Sequence, residues 1–244
     1  ASRGGSHGVG KIASNAASDL HLMFFANCDA NGEQHLGGTI QLIEHYYHDA
    51  YYRSTGYFAK LEQTTFMPYE NTYGHVFEKN TRGLKIVIPF LRESFYDEME
   101  VIRAVCDSFF IAILQRKLIV HVNDLTIDAT SIEHIVKQEQ YYEQRVPMMK
   151  KVFTPLYVNT FMTKEPRTIT IPHRDTALTF QLYFQYDEQI AKGRVGIVRT
   201  IGMKIEDFEM TYPLQQSEDI EMTDRTTQIT PQLLEEIARI AMRG

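Results

Sequence analysis

Apolar residues along this chain follow two rhythms, and the switches between them mark out its elements. Residues 20–27 and 38–45 each read as a strand. The Asp29-Ala30-Asn31-Gly32 turn signal lies between them, which predicts a hairpin. A helix rich in Ala and Ser is expected before it, over 11–19. Residues 51–59 read as a further strand interrupted by Gly56, and 61–79 as a polar, irregular stretch carrying Pro68 and Gly74. The Leu-Lys-Ile-Val-Ile-Pro-Phe run at 84–90 alternates and stops at proline, as a strand does.

The clearest helix is expected from Ser94, which can cap, with Asp97 three residues on. Phe95, Met99, Ile102, Cys106, Phe109 and Ile113 keep helical spacing, and Lys117 follows where positive charge is favoured. A strand at 118–122 then turns at Asn123-Asp124, with 126–128 pairing back. Residues 131–142 read as helical. Beyond them Pro147, Pro155, Pro166 and Pro172 punctuate the chain. Strands are expected at 167–171, 177–186 and 194–200, an acidic loop over 204–227, and a last helix over 230–242. That helix has Thr230 as its cap, Pro231 in its first turn, and Leu234, Ile237, Ile240 and Ala241 on its apolar face. Strands interleaved with a few helices, with hairpins favoured over strict strand–helix–strand units, predict an α+β fold.

Composition narrows this little further. The chain has 244 residues, enough for one large domain or two modest ones. An apolar share of 43%, with 14 Tyr and 14 Phe, supports a core. A net charge of −6 supplies no global field for nucleic acid, so any nucleic-acid contact is expected to be indirect. The two cysteines, Cys28 and Cys106, sit in no metal spacing and indicate no disulfide framework. No apolar run is long enough to cross a bilayer and no secretory signal opens the chain, so no membrane association and a cytoplasmic location are expected.

The chemistry is concentrated at the start, in Gly4-Gly5-Ser6-His7-Gly8-Val9-Gly10-Lys11. Four glycines within seven residues free the backbone to turn successive N–H groups toward an anion, and a helix is expected to follow. Lys11 adds a full charge and His7 another donor. In physical terms this is a phosphate cradle. Gly5-x-x-x-x-Gly10-Lys11 meets most of the P-loop pattern, but Ile12 stands where magnesium would need Ser or Thr, and Ser14 comes two residues late. The 118–124 run is a weak candidate for the second, acidic strand of that motif.

The same string, followed by Asn15-Ala16, resembles the third nucleotide motif of the GHKL ATPases, the superfamily of gyrase B subunits, the large heat-shock chaperone, histidine kinases and MutL. The resemblance is sharp over residues 4–17 and looser to about residue 90. It implies ATP and Mg2+ as ligands, with Gly5, Ser6, His7, Gly8, Val9 and Gly10 around the phosphates and Lys11 beside them. The family's adenine-pocket strand matches Thr81-Arg82-Gly83-Leu84-Lys85-Ile86-Val87-Ile88; Leu84 replaces the usual Thr, and Thr81 is the nearby substitute. The family's catalytic Glu and magnesium-binding Asn lie on an earlier helix, so no residue here is assigned as general base.

The resemblance further implies a lobe over 1–90 forming the second half of an ATP-binding sandwich, and a transducer-like α+β module over 91–244. Its partner would be a second copy or another protein. The later elements look like those of bacterial GHKL-type proteins, some associated with restriction or antiviral defence. The competing expectations are a non-enzymatic scaffold or interaction module whose glycine run is structural, and a degenerate P-loop protein. His45, His48 and Asp49 carry metal-ligating groups, but a solvated loop is the simpler reading.

Overall fold

The computed structural model describes residues 10–142, 153–173, 176–185, 194–198 and 201–209. The chain is α+β and divides into two compact units, one ending at Asp97 and one beginning at Glu98. The predicted helix over 230–242 lies outside the described residues.

The first unit opens with α1 (Gly10–Ala16), followed by β1 (Leu22–Cys28) and β2 (Gln34–Gln41). The predicted hairpin is present, with Leu22 opposite Ile40 and Cys28 opposite Gln34. Its turn closes as the side chains dictate: Asn31 and Glu33 donate their amides to Asp29 Oδ1 at 2.8 and 2.9 Å, and Gly32 takes a φ of +86° that a side chain resists. Then come β3 (His45–Tyr47), β4 (Ala50–Tyr52), β5 (Thr55–Phe58), β6 (Lys60–Glu62), β7 (Thr65–Met67), β8 (Tyr69–Glu70) and β9 (Gly83–Val87).

The main sheet runs β5-β2-β1-β9, all antiparallel, with β8 also pairing β2. β3–β4 and β6–β7 are separate short hairpins, so the strand expected at 51–59 is divided and the irregular stretch after it is partly paired. On one sheet face Phe24 meets Phe58 and Phe77 edge-on, at 5.7 and 5.2 Å between centroids. On the other, the Phe25 ring lies over Gly37; a Cβ there would come within 2.4 Å of Phe25 Cζ.

The second unit opens with α2 (Glu98–Leu114), then β10 (Val120–Val122), β11 (Leu125–Ile127), α3 (Ile132–Val136), α4 (Thr154–Thr163), β12 (Arg167–His173), β13 (Thr176–Leu182), β14 (Arg194–Val198) and β15 (Lys204–Glu209). These strands pair in sequence as β10–β11, β12–β13 and β14–β15.

α2 starts four residues later than Ser94 because 93–95 forms a 3-10 turn, with Phe95 and Tyr96 exposed. Ile102, Cys106, Phe110 and Ile113 form its buried stripe against Ile127, Ile132, Ile135, Val136, Tyr142 and Val158. It ends in a Schellman motif: Lys117 N donates to Ala112 O, Arg116 N donates to Ile113 O, and Arg116 is left-handed at φ +58°. No described helix is long and apolar enough to cross a membrane.

Two elements run against the sequence reading. α4 forms among the prolines because Pro155 sits in its first turn, where a missing N–H costs nothing. β15 occupies the start of the expected acidic loop. Its Asp207 is neutralised by Arg194 and Lys204, both at 3.1 Å, and accepts a hydrogen bond from Tyr157 Oη at 3.0 Å. Burial, then the Asp207 charge, pushes the Tyr157 hydroxyl up from its ordinary value.

Candidate nucleotide site

The helix expected after the glycine run is present, and it begins at Gly10 itself, with Lys11 in its first turn. Gly5, Ser6, His7, Gly8 and Val9 lie outside the described residues. The described part of the site is therefore the helix that receives the run and the surface that holds it.

α1 has seven residues, far below the length at which a helix is stable alone in water, so tertiary contacts keep it formed. It rests on the sheet through buried Asn15 and is followed by buried Ala17 and Ser18. Asn15 Nδ2 donates to His21 O at 2.9 Å and to Thr39 O at 3.0 Å, while Asn15 Oδ1 accepts from Thr39 Oγ1 at 3.2 Å. Just past the helix, Ser18 Oγ donates to Pro89 O at 2.7 Å, Asp19 N to Phe90 O at 2.9 Å, and Arg92 N to Ala17 O at 3.0 Å. One end of α1 is thus tied to the chain leaving β9. The two turns that meet there hold His21 and Phe90 in left-handed conformations, at φ +52° in each.

Thr81 lies in the loop before β9 and is exposed. Its hydroxyl accepts from Lys79 Nζ at 2.8 Å, and Lys79 Nζ also donates to the Thr81 carbonyl. Among the described residues no hydrogen bond joins Thr81 to α1. β9 itself pairs antiparallel with β1, with Phe25 opposite Ile86 and Asn27 opposite Leu84. Leu84, in the position where the resemblance implies Thr, is solvent-exposed.

His48 and Asp49 are the two central residues of the β3–β4 turn, both left-handed at φ 45° and 59°, the backbone of a type I′ hairpin. Asp49 accepts from Tyr46 Oη at 3.1 Å, and His45 stacks on Tyr52. These groups serve the hairpin and do not converge. Asp29, Glu33 and His35 at the β1–β2 turn do converge, with ligand atoms within 4.8 Å of one another. No sequence motif singles them out. The available signal was the i, i+2 spacing of Glu33 and His35 across a turn from Asp29. They are exposed acidic and imidazole groups, and Asp29 Oδ1 is already engaged by two turn amides.

Neither cysteine is placed as a nucleophile. Cys28 and Cys106 are both buried. Burial, with a smaller contribution from Asp107, pushes the Cys106 thiol up to about 12, which keeps it protonated at neutral pH. A thiol-titrating disulfide reagent should therefore find both thiols in denaturant and none in the native chain over minutes; rapid native labelling would contradict the buried placement.

No protein-family model, no curated protein and no solved structure matches this chain.

Proposed function

We propose that this chain is the phosphate-gripping part of an ATP-binding, ATP-hydrolysing conformational switch of GHKL type. The observation that carries the reading is the seating of α1. A glycine-rich run passes directly into a helix at Gly10, and that helix is fixed on an antiparallel sheet by a buried asparagine. A helix already anchored to a sheet leaves less to be ordered when a polyanion binds at its start.

In this function Gly5, Ser6, His7, Gly8, Val9 and Gly10 present amides to the phosphates, and Lys11 supplies the neighbouring positive charge. The bound nucleotide's state would be passed to the second unit and to a second copy or another protein. Magnesium, where bound, neutralises phosphate charge. Among the described residues no side chain is assigned to it, and the Asp29–Glu33–His35 group lies at a turn without a described link to α1.

The test is a titration of a fluorescent ATP analogue into the full-length chain and into Gly8→Ala and Gly10→Ala. Each variant adds a side chain where the backbone must approach phosphate, so each should weaken binding by about tenfold or more. Equal binding by all three proteins would defeat the cradle.

One observation favours a second reading, an interaction module. Tyr46, Tyr47, Tyr51 and Tyr52 of the β3–β4 hairpin are all exposed, more aromatic surface than a short hairpin needs. Failure of the wild-type chain to bind the analogue at all would leave that reading as the better one.

A further inference from the structure

We infer that the β3–β4 ribbon is a self-association arm: two copies of this chain join by pairing β4 with β4, antiparallel, about a twofold axis at Tyr51. The inference stands whether or not the chain binds nucleotide, because no residue of the glycine run enters it.

The ribbon is a sheet of its own. Among the described residues no other strand pairs with β3 or β4, so each presents an outer row of backbone N–H and C=O groups. Alternation puts Tyr46 and Tyr51 on one face, their rings 4.9 Å apart, and His45 stacked on Tyr52 on the other. Every residue of both strands is exposed, and Tyr51 most of all at 87%. A two-stranded ribbon with neither face covered is marginal in water and gains stability as strands are added. Charge and proline commonly blunt an open edge, and β4, Ala50-Tyr51-Tyr52, has neither.

The order of residues around Tyr51 selects a second copy as the added strand. Antiparallel self-pairing about Tyr51 sets position 50 opposite 52 and position 49 opposite 53. Ala50 then faces the other copy's Tyr52, small against large. Asp49 faces the other copy's Arg53, acid against base, and symmetry makes that pair twice. Asp49 and Arg53 flank β4 on either side, and both are exposed. Asp49 accepts from Tyr46 Oη through Oδ1, which leaves Oδ2 to receive the guanidinium. On the shared face the two tyrosine pairs become one row of four rings, with Tyr51 against Tyr51 at its centre. A polyanion finds no such fit, because Arg53 is outnumbered by Glu44 and Asp49. At roughly 200 Å² per tyrosine ring the seam buries less than the about 1,200 Å² of a stable interface, so the dimer is weak and concentration-dependent.

The experiment is sedimentation velocity of the full-length chain from about 1 to about 300 μM, with each variant's circular dichroism matched to wild type. The wild type should pass from monomer toward dimer across that range. Tyr51→Lys puts two like charges on the axis and should raise the dissociation constant about tenfold or more. Arg53→Asp and Asp49→Lys should each do the same when alone, since each sets like charges opposite one another. An equimolar mixture of these two should recover association, because each copy then offers the sign the other lacks. Loss of fold would not produce that recovery.

A wild type that stays monomeric throughout overturns the inference and leaves the ribbon to a different partner. A wild-type dimer unaffected by Tyr51→Lys and Arg53→Asp places the contact elsewhere and overturns it too. Failure of the mixture, with both variants folded, overturns the axis at Tyr51. Should Asp49→Lys disturb its left-handed turn, Tyr51→Lys and Arg53→Asp decide, and either one dimerising as wild type does overturns the inference.

Discussion

Gly202→Ala should destabilise the second unit by about 3 kcal/mol and lower its unfolding temperature by about 10 °C. Two independent causes add. Gly202 is held at φ +84°, where a side chain costs roughly 1 kcal/mol. A Cβ built there would also lie 2.6 Å from Ala112 N, 2.7 Å from Ala112 Cα and 2.8 Å from Ala112 Cβ, in the last turn of α2. These atoms are backbone and a methyl group on a packed helix, and none can swing away. The loop would have to retreat, breaking the hydrogen bond that Ala112 N donates to Gly202 O at 3.2 Å and overpacking the core at a cost of about 2 kcal/mol. Gly74, where an added Cβ meets nothing within 4 Å and φ is ordinary, is the control; the same change there should stay within about 0.5 kcal/mol. Thermal unfolding followed by circular dichroism decides it, and equal midpoints for the two variants would refute the close approach.

Asp107→Ala should cost about as much, roughly 3 kcal/mol, for an electrostatic reason. Asp107 Oδ1 accepts from Tyr142 Oη at 2.8 Å and from the Thr154 hydroxyl, joining α2 to the segment after α3 and to the start of α4. Tyr142 is 5% exposed and Thr154 1% exposed, so neither hydroxyl finds water when its acceptor is removed. Burial and the nearby Asp107 charge push the Tyr142 hydroxyl up, so it stays a donor at every pH of interest. Asp107→Asn keeps an acceptor oxygen and should recover about half of the loss. Denaturant midpoints for the two variants test this; equal destabilisation by Ala and Asn would show that the charge, and not the acceptor, is what the two hydroxyls need.

The glycine run stands out in the sequence as a candidate phosphate site because glycine spacing is a local property. What holds the adjoining helix was not legible: Asn15 looked like a motif letter, and its partners are 6 and 24 residues away. Thr81 stands near the adenine contact that the resemblance implies, yet its described partner is Lys79, two residues before it. The Asp29–Glu33–His35 group went unread because only the hairpin register brings its members together.

Elements written into nearest neighbours were determined by the sequence itself. The β1–β2 hairpin follows from Asp29 and Gly32, whose turn geometry holds whatever packs around it. The body of α2 follows from apolar residues recurring every three or four positions. The α+β class follows from having both rhythms in one chain. Tertiary structure decided the rest, because long-range contacts outweigh weak local preference. It set the start of α2, where Phe95 and Tyr96 find no core to cover. It shortened the expected 131–142 helix to α3, with Tyr142 turned in to donate to Asp107. It made a strand of acidic β15 by supplying Arg194 and Lys204 to Asp207. It also gave a seven-residue helix a fixed seat, through hydrogen bonds that no periodicity announces.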